Sequence, residues 1–272
     1  MHRNTIEIIR PRPVPRGFRY AVLDFDGTIS LIREGWQKIM IPYFTDELCG
    51  TPRGRDMNRA VLGEQVLEFV FVNTGKQTIY QCIELAHRVR ALGGEPPDPQ
   101  EYKDEYQRRL LLAIDHRFAG LADGSIDPDD LMVPGSAALL AMLRSHGVSL
   151  YLASGTDDIY VQKEAALLGV TPFFEGHIYG AQRDYRTFSK KMVIDRILRE
   201  NNLAGESLLG FGDGYVEIEN IKSVGGFACG VASNEAERRG VDEWKRERLI
   251  RAGADMIIPD YQNIAELEQY LF

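Results

Sequence analysis

A short apolar strand that ends in two carboxylates is the feature that most constrains this chain. The apolar run Tyr20–Leu23 predicts a buried strand of a parallel sheet, and Asp24-Phe25-Asp26-Gly27-Thr28 follows it directly. Gly27 lets the chain turn, and side chains two positions apart share a face if the strand continues that far. Such a carboxylate pair suits Mg²⁺, which proteins hold with one or two carboxylates plus substrate phosphate. The alternative is an ordinary strand followed by an Asp-Gly turn.

Two patterns follow this strand, and together they predict the architecture. The first is helical periodicity without an intervening strand, which predicts a small helical bundle. Its four apolar stripes lie at Trp36–Phe44, Leu62–Val70, Ile79–Val89 and Tyr102–Ile114. From Val133 the pattern changes to alternating strands and helices, which predicts a parallel sheet covered on both faces.

The positions of the later elements follow from short apolar runs and helical spacing. We predict strands at Val148–Ala153, Leu208–Phe211, Phe227–Val231 and Met256–Ile258, and a short edge strand within Ile6–Ile9. We predict helices at Asp157–Leu168, Lys190–Arg199, Asp242–Arg251 and Ile264–Leu271, with another that Pro134 opens.

The chain is therefore expected to be an α/β protein with a Rossmann-like parallel-sheet core, helices on both faces and an inserted α-helical bundle. We assign residues 18–34 and 133–272 to the core and residues 35–132 to the bundle. Residues 1–17 form an N-terminal extension that its prolines keep extended. Ligands of such sheets bind at the carboxyl ends of the strands. The bundle leaves from that same edge, so we expect it to be able to cover the site.

Charge and composition limit the classes of binding partner that this chain is expected to have. The net charge is −8, with no block of basic residues, which argues against a nucleic-acid backbone or an anionic membrane as partner. No apolar stretch approaches the length of a membrane span, and the N-terminus is too polar for a signal peptide. Three widely spaced cysteines form neither a disulfide framework nor a zinc pattern. We expect a cytoplasmic protein, monomeric or homodimeric, that supplies local positive charge to any phosphorylated ligand.

Two further motifs offer groups that could bind a phosphate. Ser154-Gly155-Thr156 follows a predicted strand, and a hydroxyl with backbone N–H groups before a helix forms an anion site. The alternative is a routine helix N-cap. Lys190-Lys191 opens a helix, where cations are unfavourable without a compensating anion. A phosphate would compensate them, and the alternative is a solvated pair.

The last motif contains two further acidic residues. Gly210-Phe211-Gly212-Asp213-Gly214 follows an apolar strand, and Glu217 lies one helical turn further on. Glycines on both sides of Asp213 fit a close backbone approach, and Asp213 would join the first two carboxylates as a metal ligand. The alternative is a strand-to-helix turn with an acidic N-cap.

In this order and at four strand ends, the motifs resemble the haloacid dehalogenase superfamily, specifically its phosphatase branch with a helical cap inserted after the first motif. Asp24–Thr28 resembles the first motif, Ser154 the second, Lys190 the third and Gly212-Asp213 the fourth. Lys190 is preferred over Lys191 because the apolar residues that follow it have the family's helical phasing. The resemblance implies the family's α/β fold and a cap over residues 35–132.

The resemblance also implies a mechanism. Asp24 is expected to attack phosphorus and form an aspartyl-phosphate, and Asp26 to act as general acid and then general base. Mg²⁺ would be held by Asp24, the backbone carbonyl of Asp26 and Asp213. The expected phosphate-binding residues are Gly27, Thr28, Ser154, Gly155 and Lys190. The dehalogenases lack the second acidic residue of the first motif, so Asp26 favours phosphoryl transfer.

Two points depart from the family pattern or extend it. The family places a second aspartate after the fourth motif, whereas this chain has Glu217, whose longer side chain is expected to reach a metal-bound water. In the cap, Arg53 and Arg55 flank a glycine and could meet a phosphate or carboxylate of the substrate. The alternative for these arginines is a solvated basic loop.

We therefore expect a Mg²⁺-dependent phosphatase that acts on a small soluble phosphomonoester, such as a sugar phosphate or related metabolite. One alternative is a phosphomutase of the β-phosphoglucomutase type, which uses the same aspartates to move a phosphate between positions of a sugar. A more remote alternative is a non-catalytic binding or regulatory protein that keeps the fold.

Overall fold

A computed structural model describes residues 6–11, 17–202 and 205–272, and these residues form an α/β fold. The strands are β1 (Glu7–Ile8), β2 (Tyr20–Leu23), β3 (Ser149–Asp157), β4 (Ile178–Ala181), β5 (Leu208–Gly212), β6 (Phe227–Val231) and β7 (Met256–Ile258). The helices are α1 (Gln37–Cys49), α2 (Arg59–Val72), α3 (Thr78–Ala91), α4 (Pro99–Asp123), α5 (Ser136–Ser145), α6 (Asp158–Leu167), α7 (Thr171–Phe174), α8 (Lys190–Glu200), α9 (Tyr215–Ser223), α10 (Glu243–Ala252) and α11 (Ile264–Leu271).

The strands pair into one sheet in the order β1-β7-β6-β5-β2-β3-β4. Only the edge pair β1 and β7 is antiparallel within the described residues, and the other neighbours are parallel. Leu23 of β2 lies level with Leu152 of β3 and Phe211 of β5. Because parallel strands run in one direction, the residues that follow these three positions meet at one edge of the sheet.

Helices cover both faces of the sheet, as the alternating pattern predicts. One face packs its side chains, such as Val22 and Ile257, against α8, α9 and α10 through Val193, Ile221 and Leu249. On the other face α5, α6 and α7 contact β3, and α11 packs on α5. Burial on both faces explains why the strands are near-continuous apolar runs.

The helical insertion packs around its own apolar core. The chain divides into two compact units, one from Met1–Glu34 with Arg117–Phe272 and the other Gly35–His116. The second unit contains α1, α2, α3 and most of α4. Most residues of the four predicted stripes are buried there, and Phe44 stacks on Phe69 at 6.1 Å between ring centres.

The helical unit ends earlier than residue 132, where the sequence pattern places the end of the bundle. Residues 117–132 belong to the sheet unit because they pair with the loop that follows the first motif. The Arg117 guanidinium donates to the carbonyls of Ile32 at 2.8 Å and Glu34 at 2.9 Å, and Leu31 N–H donates to the Leu131 carbonyl at 2.8 Å. Tertiary hydrogen bonds, which leave no periodic signal, therefore set this boundary.

Several predicted elements differ from the structure at their ends. β3 continues through Ser154-Gly155-Thr156, which the sequence pattern assigns to a loop, and its pairing with β4 shifts register between Ala153 and Asp157. β4 was not predicted, because four residues bounded by turns carry no period. β1 lies within the predicted edge segment Ile6–Ile9. Much of the predicted N-terminal extension, residues 1–5 and 12–16, lies outside the described residues.

A partly buried ion pair links α9 to the strands beyond it. Lys222 on α9 donates to both carboxylate oxygens of Asp255 at 2.8 Å, and Asp255 is fully buried. The same carboxylate accepts the backbone N–H of Ala228 in β6 at 2.9 Å. The pair therefore joins three segments of the sheet unit at a place away from the first motif.

We predict that Lys222→Met destabilises the fold by about 3 kcal/mol, because the fully buried Asp255 carboxylate is left without its partner. Lys191→Met is the comparison, since Lys191 forms an exposed pair with Asp195 that is worth about 1 kcal/mol or less. Urea denaturation measures both. Equal, small losses in the two variants would contradict the assigned role of the Lys222–Asp255 pair.

Candidate active site

The loop after β2 presents Asp24 and Asp26 at the sheet edge. Asp24 N–H donates to the Phe211 carbonyl at 2.9 Å, which extends the β2–β5 pairing by one residue. Phe25 is fully buried between the two aspartates, and its carbonyl accepts the N–H groups of residues 28, 29 and 30 at 2.8–3.2 Å. The buried ring and this tight turn fix both carboxylates on the site side of the loop.

Asp24 is buried against Lys190, the first residue of α8. Lys190 Nζ donates to Asp24 Oδ1 at 2.7 Å and also contacts Glu217 Oε1 of α9. Burial raises the pKa of Asp24 well above its ordinary value, Lys190 lowers it, and neighbouring carboxylates raise it again. Burial lowers the pKa of Lys190, but Asp24 and Glu217 raise it by more. One lysine therefore holds two carboxylates together, and Lys190 stays protonated.

Lys190 and Lys191 have separate roles, although they are neighbours in the sequence. Lys190 is buried in the site, whereas Lys191 is exposed and pairs with Asp195 one turn along α8 at 2.7 Å. The Ser189 hydroxyl caps this helix by accepting the N–H of Met192 at 3.2 Å. The family's phasing thus selects the lysine that reaches Asp24.

Asp26 is held by hydroxyl groups from the end of β3. Its Oδ2 accepts the Thr156 hydroxyl at 2.8 Å and the Ser154 hydroxyl at 3.3 Å. Thr156 N–H donates to Ser154 Oγ at 3.0 Å. Asp26 keeps 31% of its side chain exposed, against 7% for Asp24. The two aspartates therefore occupy different environments, with Asp26 nearer to solvent.

A buried arginine–glutamate pair lies behind Asp26. Arg33 donates to Glu164 of α6 through Nε and Nη2, with a shortest distance of 2.7 Å, and its Nε lies 3.9 Å from Asp26 Oδ1. The Arg33 guanidinium also lies over the Tyr160 ring at 5.5 Å. Burial raises the pKa of Glu164 to about 7, although Arg33 lowers it.

Asp213 reaches the site from the loop after β5 and packs directly on the first loop. Its N–H donates to the Thr28 hydroxyl at 3.0 Å. A Cβ on Gly27 would lie 2.3 Å from Asp213 Oδ2, so only glycine leaves room for this carboxylate. Gly27 also has φ of +75°, which favours glycine. The Thr28 side chain therefore ties the first and fourth motifs together.

A second lysine lies on the far side of Asp213. Lys245 of α10 contacts Asp213 Oδ2 at 2.9 Å and Glu235 Oε1 at 2.5 Å. Its Nζ also donates to Ser233 Oγ at 3.2 Å, and that hydroxyl donates to the Gly27 carbonyl at 2.7 Å. Burial lowers the pKa of Lys245, but the two carboxylates raise it by more.

The donor set of the site fits a divalent cation. Carboxylates outnumber ammonium groups there: Asp24, Asp26, Asp213, Glu217 and Glu235 face Lys190 and Lys245. Asp26 Oδ1 and Glu217 Oε2 are buried with no hydrogen-bond partner among the described residues. Excess buried negative charge is costly without a compensating cation, and carboxylate oxygen is the ligand that Mg²⁺ prefers.

The predicted ligand set needs only two side chains, because its third ligand is the backbone carbonyl of Asp26. Within the described ranges, no group of three His, Cys, Asp or Glu side chains is arranged to hold a metal ion. The predicted set of Asp24, Asp26 and Asp213 therefore stays a prediction, supported by its donor chemistry.

The described chain brings most of the predicted site residues together. Contacts link residues of all four motifs at the sheet edge: Asp24, Asp26, Gly27, Thr28, Ser154, Lys190, Asp213 and Glu217. Gly155 lies near the end of β3, in the stretch where the β3–β4 register shifts. Arg53 and Arg55 belong to the helical unit, where both are exposed and Arg53 donates to the Ala91 carbonyl at 3.2 Å. Their contact with substrate stays a prediction.

The comparison with known families agrees with the motifs. Residues 18–225 match the model of the haloacid dehalogenase-like hydrolases. The chain belongs to this family. The match begins just before β2 and ends after α9, so it includes the four motifs and the helical insertion.

Several solved structures have a fold similar to that of this chain. A predicted phosphoglycolate phosphatase from Haemophilus somnus 129PT is 14% identical, with a TM-score of 0.59 over 92% of this chain and 97% of that one. A β-phosphoglucomutase from Clostridium difficile is 14% identical, with a TM-score of 0.56 over 86% and 98%. A HAD family hydrolase from Deinococcus radiodurans R1, with bound phosphate and sodium, is 16% identical, with a TM-score of 0.54 over 94% and 97%. At these low identities, the TM-scores show a shared fold alone.

No curated protein sequence gives a significant match to this chain. None of the described helices combines the length and apolar character that crossing a membrane requires.

Several residues of this haloacid dehalogenase-like site were not predicted as site residues. Thr156 belongs to the Ser-Gly-Thr motif, but only Ser154 and Gly155 of that motif were predicted to bind phosphate. The Thr156 hydroxyl is closer to Asp26 than the Ser154 hydroxyl is. Arg33 follows the first motif closely, but its partner Glu164 is far along the chain. Glu235 and Lys245 carry no local signal, because only the fold brings them beside Asp213.

We predict that Gly27→Ala abolishes hydrolase activity and lowers stability by more than about 1–2 kcal/mol, the cost of left-handed backbone for alanine. The new methyl group would also displace the Asp213 carboxylate. Gly147→Ala is the matched control, because Gly147 has φ of +73° and no heavy atom within 4 Å of its added Cβ. Urea denaturation and activity assays compare them; full activity in Gly27→Ala would contradict the close approach.

The Glu164 pKa predicts a pH-dependent stability. Its folded-state pKa of about 7 exceeds its ordinary value of 4.5. The contribution of Glu164 is therefore present below about pH 4.5 and is lost as the pH rises through about 7. We expect the Tm of the wild type, relative to Glu164→Gln, to fall between pH 4.5 and 7 and then level. Thermal denaturation across this range measures it; a difference that grows with pH would contradict the prediction.

Proposed function

We propose that this protein is a Mg²⁺-dependent phosphatase that hydrolyses a small phosphomonoester, such as a sugar phosphate, through an aspartyl-phosphate on Asp24. The observation that carries the proposal is the contrast between the two aspartates of one loop. Asp24 is buried against Lys190, whereas Asp26 is more exposed and held by hydroxyl groups. A covalent mechanism needs two such carboxylates, one as nucleophile and one as proton carrier.

Asp24 has the contacts that a carboxylate nucleophile requires. Lys190 Nζ, 2.7 Å from Asp24 Oδ1, opposes the effect of burial on the pKa of Asp24 and so favours the ionised form that attacks phosphorus. Its ammonium group would also offset negative charge on the phosphoryl oxygens during transfer. In the first half-reaction, an Asp24 oxygen bonds to phosphorus and the bond from phosphorus to the ester oxygen breaks.

Asp26 has the contacts that a general acid and base requires. The Thr156 and Ser154 hydroxyls bind Oδ2, which orients the carboxyl group. In the first half-reaction Asp26 gives its proton to the leaving ester oxygen. In the second it takes a proton from the attacking water, and the bond from phosphorus to Asp24 breaks to release phosphate. The products are an alcohol and inorganic phosphate.

Asp24, the backbone carbonyl of Asp26 and Asp213 would hold Mg²⁺, and Glu217 would reach a water near it. When bound, the ion supplies the positive charge that lets an anionic carboxylate approach an anionic phosphate. The excess of carboxylates over lysines in the site supports this assignment. Gly27, Thr28, Ser154 and Gly155 line the same edge and are proposed to contribute to phosphate binding.

The structural likeness to both a phosphatase and a phosphomutase concerns the fold alone. An experiment therefore has to distinguish the phosphatase reaction from the mutase reaction. A mutase uses the same aspartates but needs a bisphosphate activator and returns an isomer of its substrate. Phosphate release without an activator supports the phosphatase.

We predict that Asp24→Asn abolishes phosphate release from phosphorylated metabolites and that Asp26→Asn lowers kcat by about 10²–10⁴-fold. Both changes keep the side-chain shape, so the fold is expected to survive. The measurement is phosphate release across a panel of phosphomonoesters, with Mg²⁺ or EDTA.

Asp195→Asn is the matched control, because Asp195 lies on the exposed side of α8 and pairs with Lys191. It is expected to retain wild-type rates. Retained turnover in Asp24→Asn would refute the covalent mechanism, and EDTA-resistant turnover would refute the metal requirement. Activity that requires a bisphosphate would identify a mutase instead.

A further inference from the structure

The segment after β6 supplies a buried lysine whose partners lie in the active site. Lys245 and Glu235 both lie beyond residues 18–225, the region that matches the family. Lys245 is 8% exposed, and its Nζ contacts oxygens of Asp213, Glu235 and Ser233 at 2.5–3.2 Å. An ammonium group has three protons to donate, so these contacts use its full capacity.

We propose that Lys245 is a positioning residue that holds the Asp213 carboxylate in place for the divalent cation, so that cation affinity depends on this lysine. The inference rests on the proposed function, because it takes Asp213 as a ligand of Mg²⁺.

The argument begins with the orientation of Asp213. Lys245 contacts Oδ2, so a cation bound by the same carboxylate would take Oδ1. Oδ2 also lies where the Cβ of any residue but glycine at position 27 would stand. The carboxylate is therefore held between the Gly27 backbone on one side and the Lys245 ammonium on the other.

The second step is the connection to the first motif. Ser233 accepts from Lys245 at 3.2 Å and donates to the Gly27 carbonyl at 2.7 Å. One ammonium group thus links the loop after β6, the loop after β5 and the turn that follows Asp26. Partners that orient a metal ligand typically change metal affinity by about 10- to 100-fold when they are removed.

The third step is a parallel with Lys190. Lys190 bridges Asp24 and Glu217, and Lys245 bridges Asp213 and Glu235. Each proposed side-chain ligand of the cation is therefore paired with its own lysine, and each lysine has a glutamate as its second carboxylate. The first bridge joins two residues of the predicted motifs, Asp24 and Lys190, to Glu217, and α10 adds the second bridge.

The test must separate the effect of Lys245 on the position of the Asp213 carboxylate from the effect of its positive charge on cation binding. Lys245→Met alone removes a positive charge beside Asp213, which would by itself strengthen attraction for a cation. The double variant Lys245→Met/Glu235→Gln removes one charge of each sign and loses the contact to Asp213. Any weakening of cation binding in the double variant therefore reports the lost positioning.

We expect Lys245→Met/Glu235→Gln to bind Mg²⁺ about 10- to 100-fold more weakly than the wild type. The measurement is Tm as a function of Mg²⁺ concentration at constant ionic strength, since ligand binding to the folded state raises Tm. The Mg²⁺ concentration for half-maximal activity should rise by a similar factor, while kcat at saturating Mg²⁺ falls less. Ser233→Ala, a smaller change, is expected to shift affinity in the same direction by a smaller factor.

Lys222→Met is the control for general loss of stability. It removes another lysine of the same unit that pairs with a buried carboxylate, but this carboxylate is Asp255. It is expected to lower the starting Tm without changing Mg²⁺ affinity. A weakened affinity in Lys222→Met equal to that of the double variant would overturn the positioning role.

Two other outcomes are also decisive. Wild-type affinity in both the double variant and Ser233→Ala would overturn the inference alone and leave the proposed phosphatase intact. A wild-type protein whose Tm does not respond to Mg²⁺ at any concentration would overturn the metal site itself, and this inference with it.

Discussion

Repulsion among carboxylates at one edge of the sheet is the constraint on which the rest of the site depends. The parallel register of β2, β3 and β5 brings strand ends together, and the loops after β2 and β5 both carry aspartates. Taking such charges out of water is costly unless they are paired. The chain meets this cost with two buried lysines, each placed between an aspartate and a glutamate. The remaining negative excess is what a divalent cation would offset.

This arrangement also gives two aspartates of one loop different properties. Asp24 is buried, where the lysine and the other carboxylates act on it most strongly because local screening by water is weak. Asp26 is nearer to solvent and is oriented by hydroxyl groups. The fully buried Phe25 between them fixes their separation. A nucleophile and a proton carrier need such different surroundings, and a single turn of five residues provides both.

The two lysines lie on helices that precede and follow β5 in the sequence, so the geometry of the site depends on much of the sheet unit. Lys190 opens α8, between β4 and β5, whereas Lys245 lies on α10, between β6 and β7. Gly27 has to remain glycine because the Asp213 carboxylate occupies the space of a side chain. The turn after Asp26 is therefore held by contacts from α10 as well as by its own hydrogen bonds.

The sequence by itself determined most of the strand-and-helix order, the inserted helical unit and the family motifs, but not β4 or α7. Apolar periods and glycine turns are local signals, so they identified β2, β6, β7 and the four helices of the insertion. Lys190 was selected over Lys191 because helical phasing is also local. The tertiary structure decided what depends on residues distant in the chain: the bonds of Arg117 that end the helical unit at residue 116, the extension of β3 through Thr156, the Arg33–Glu164 pair, and the place of Lys245 beside Asp213. These contacts form between segments more than ten residues apart, and a pattern along the chain carries no record of which distant side chains a fold brings together.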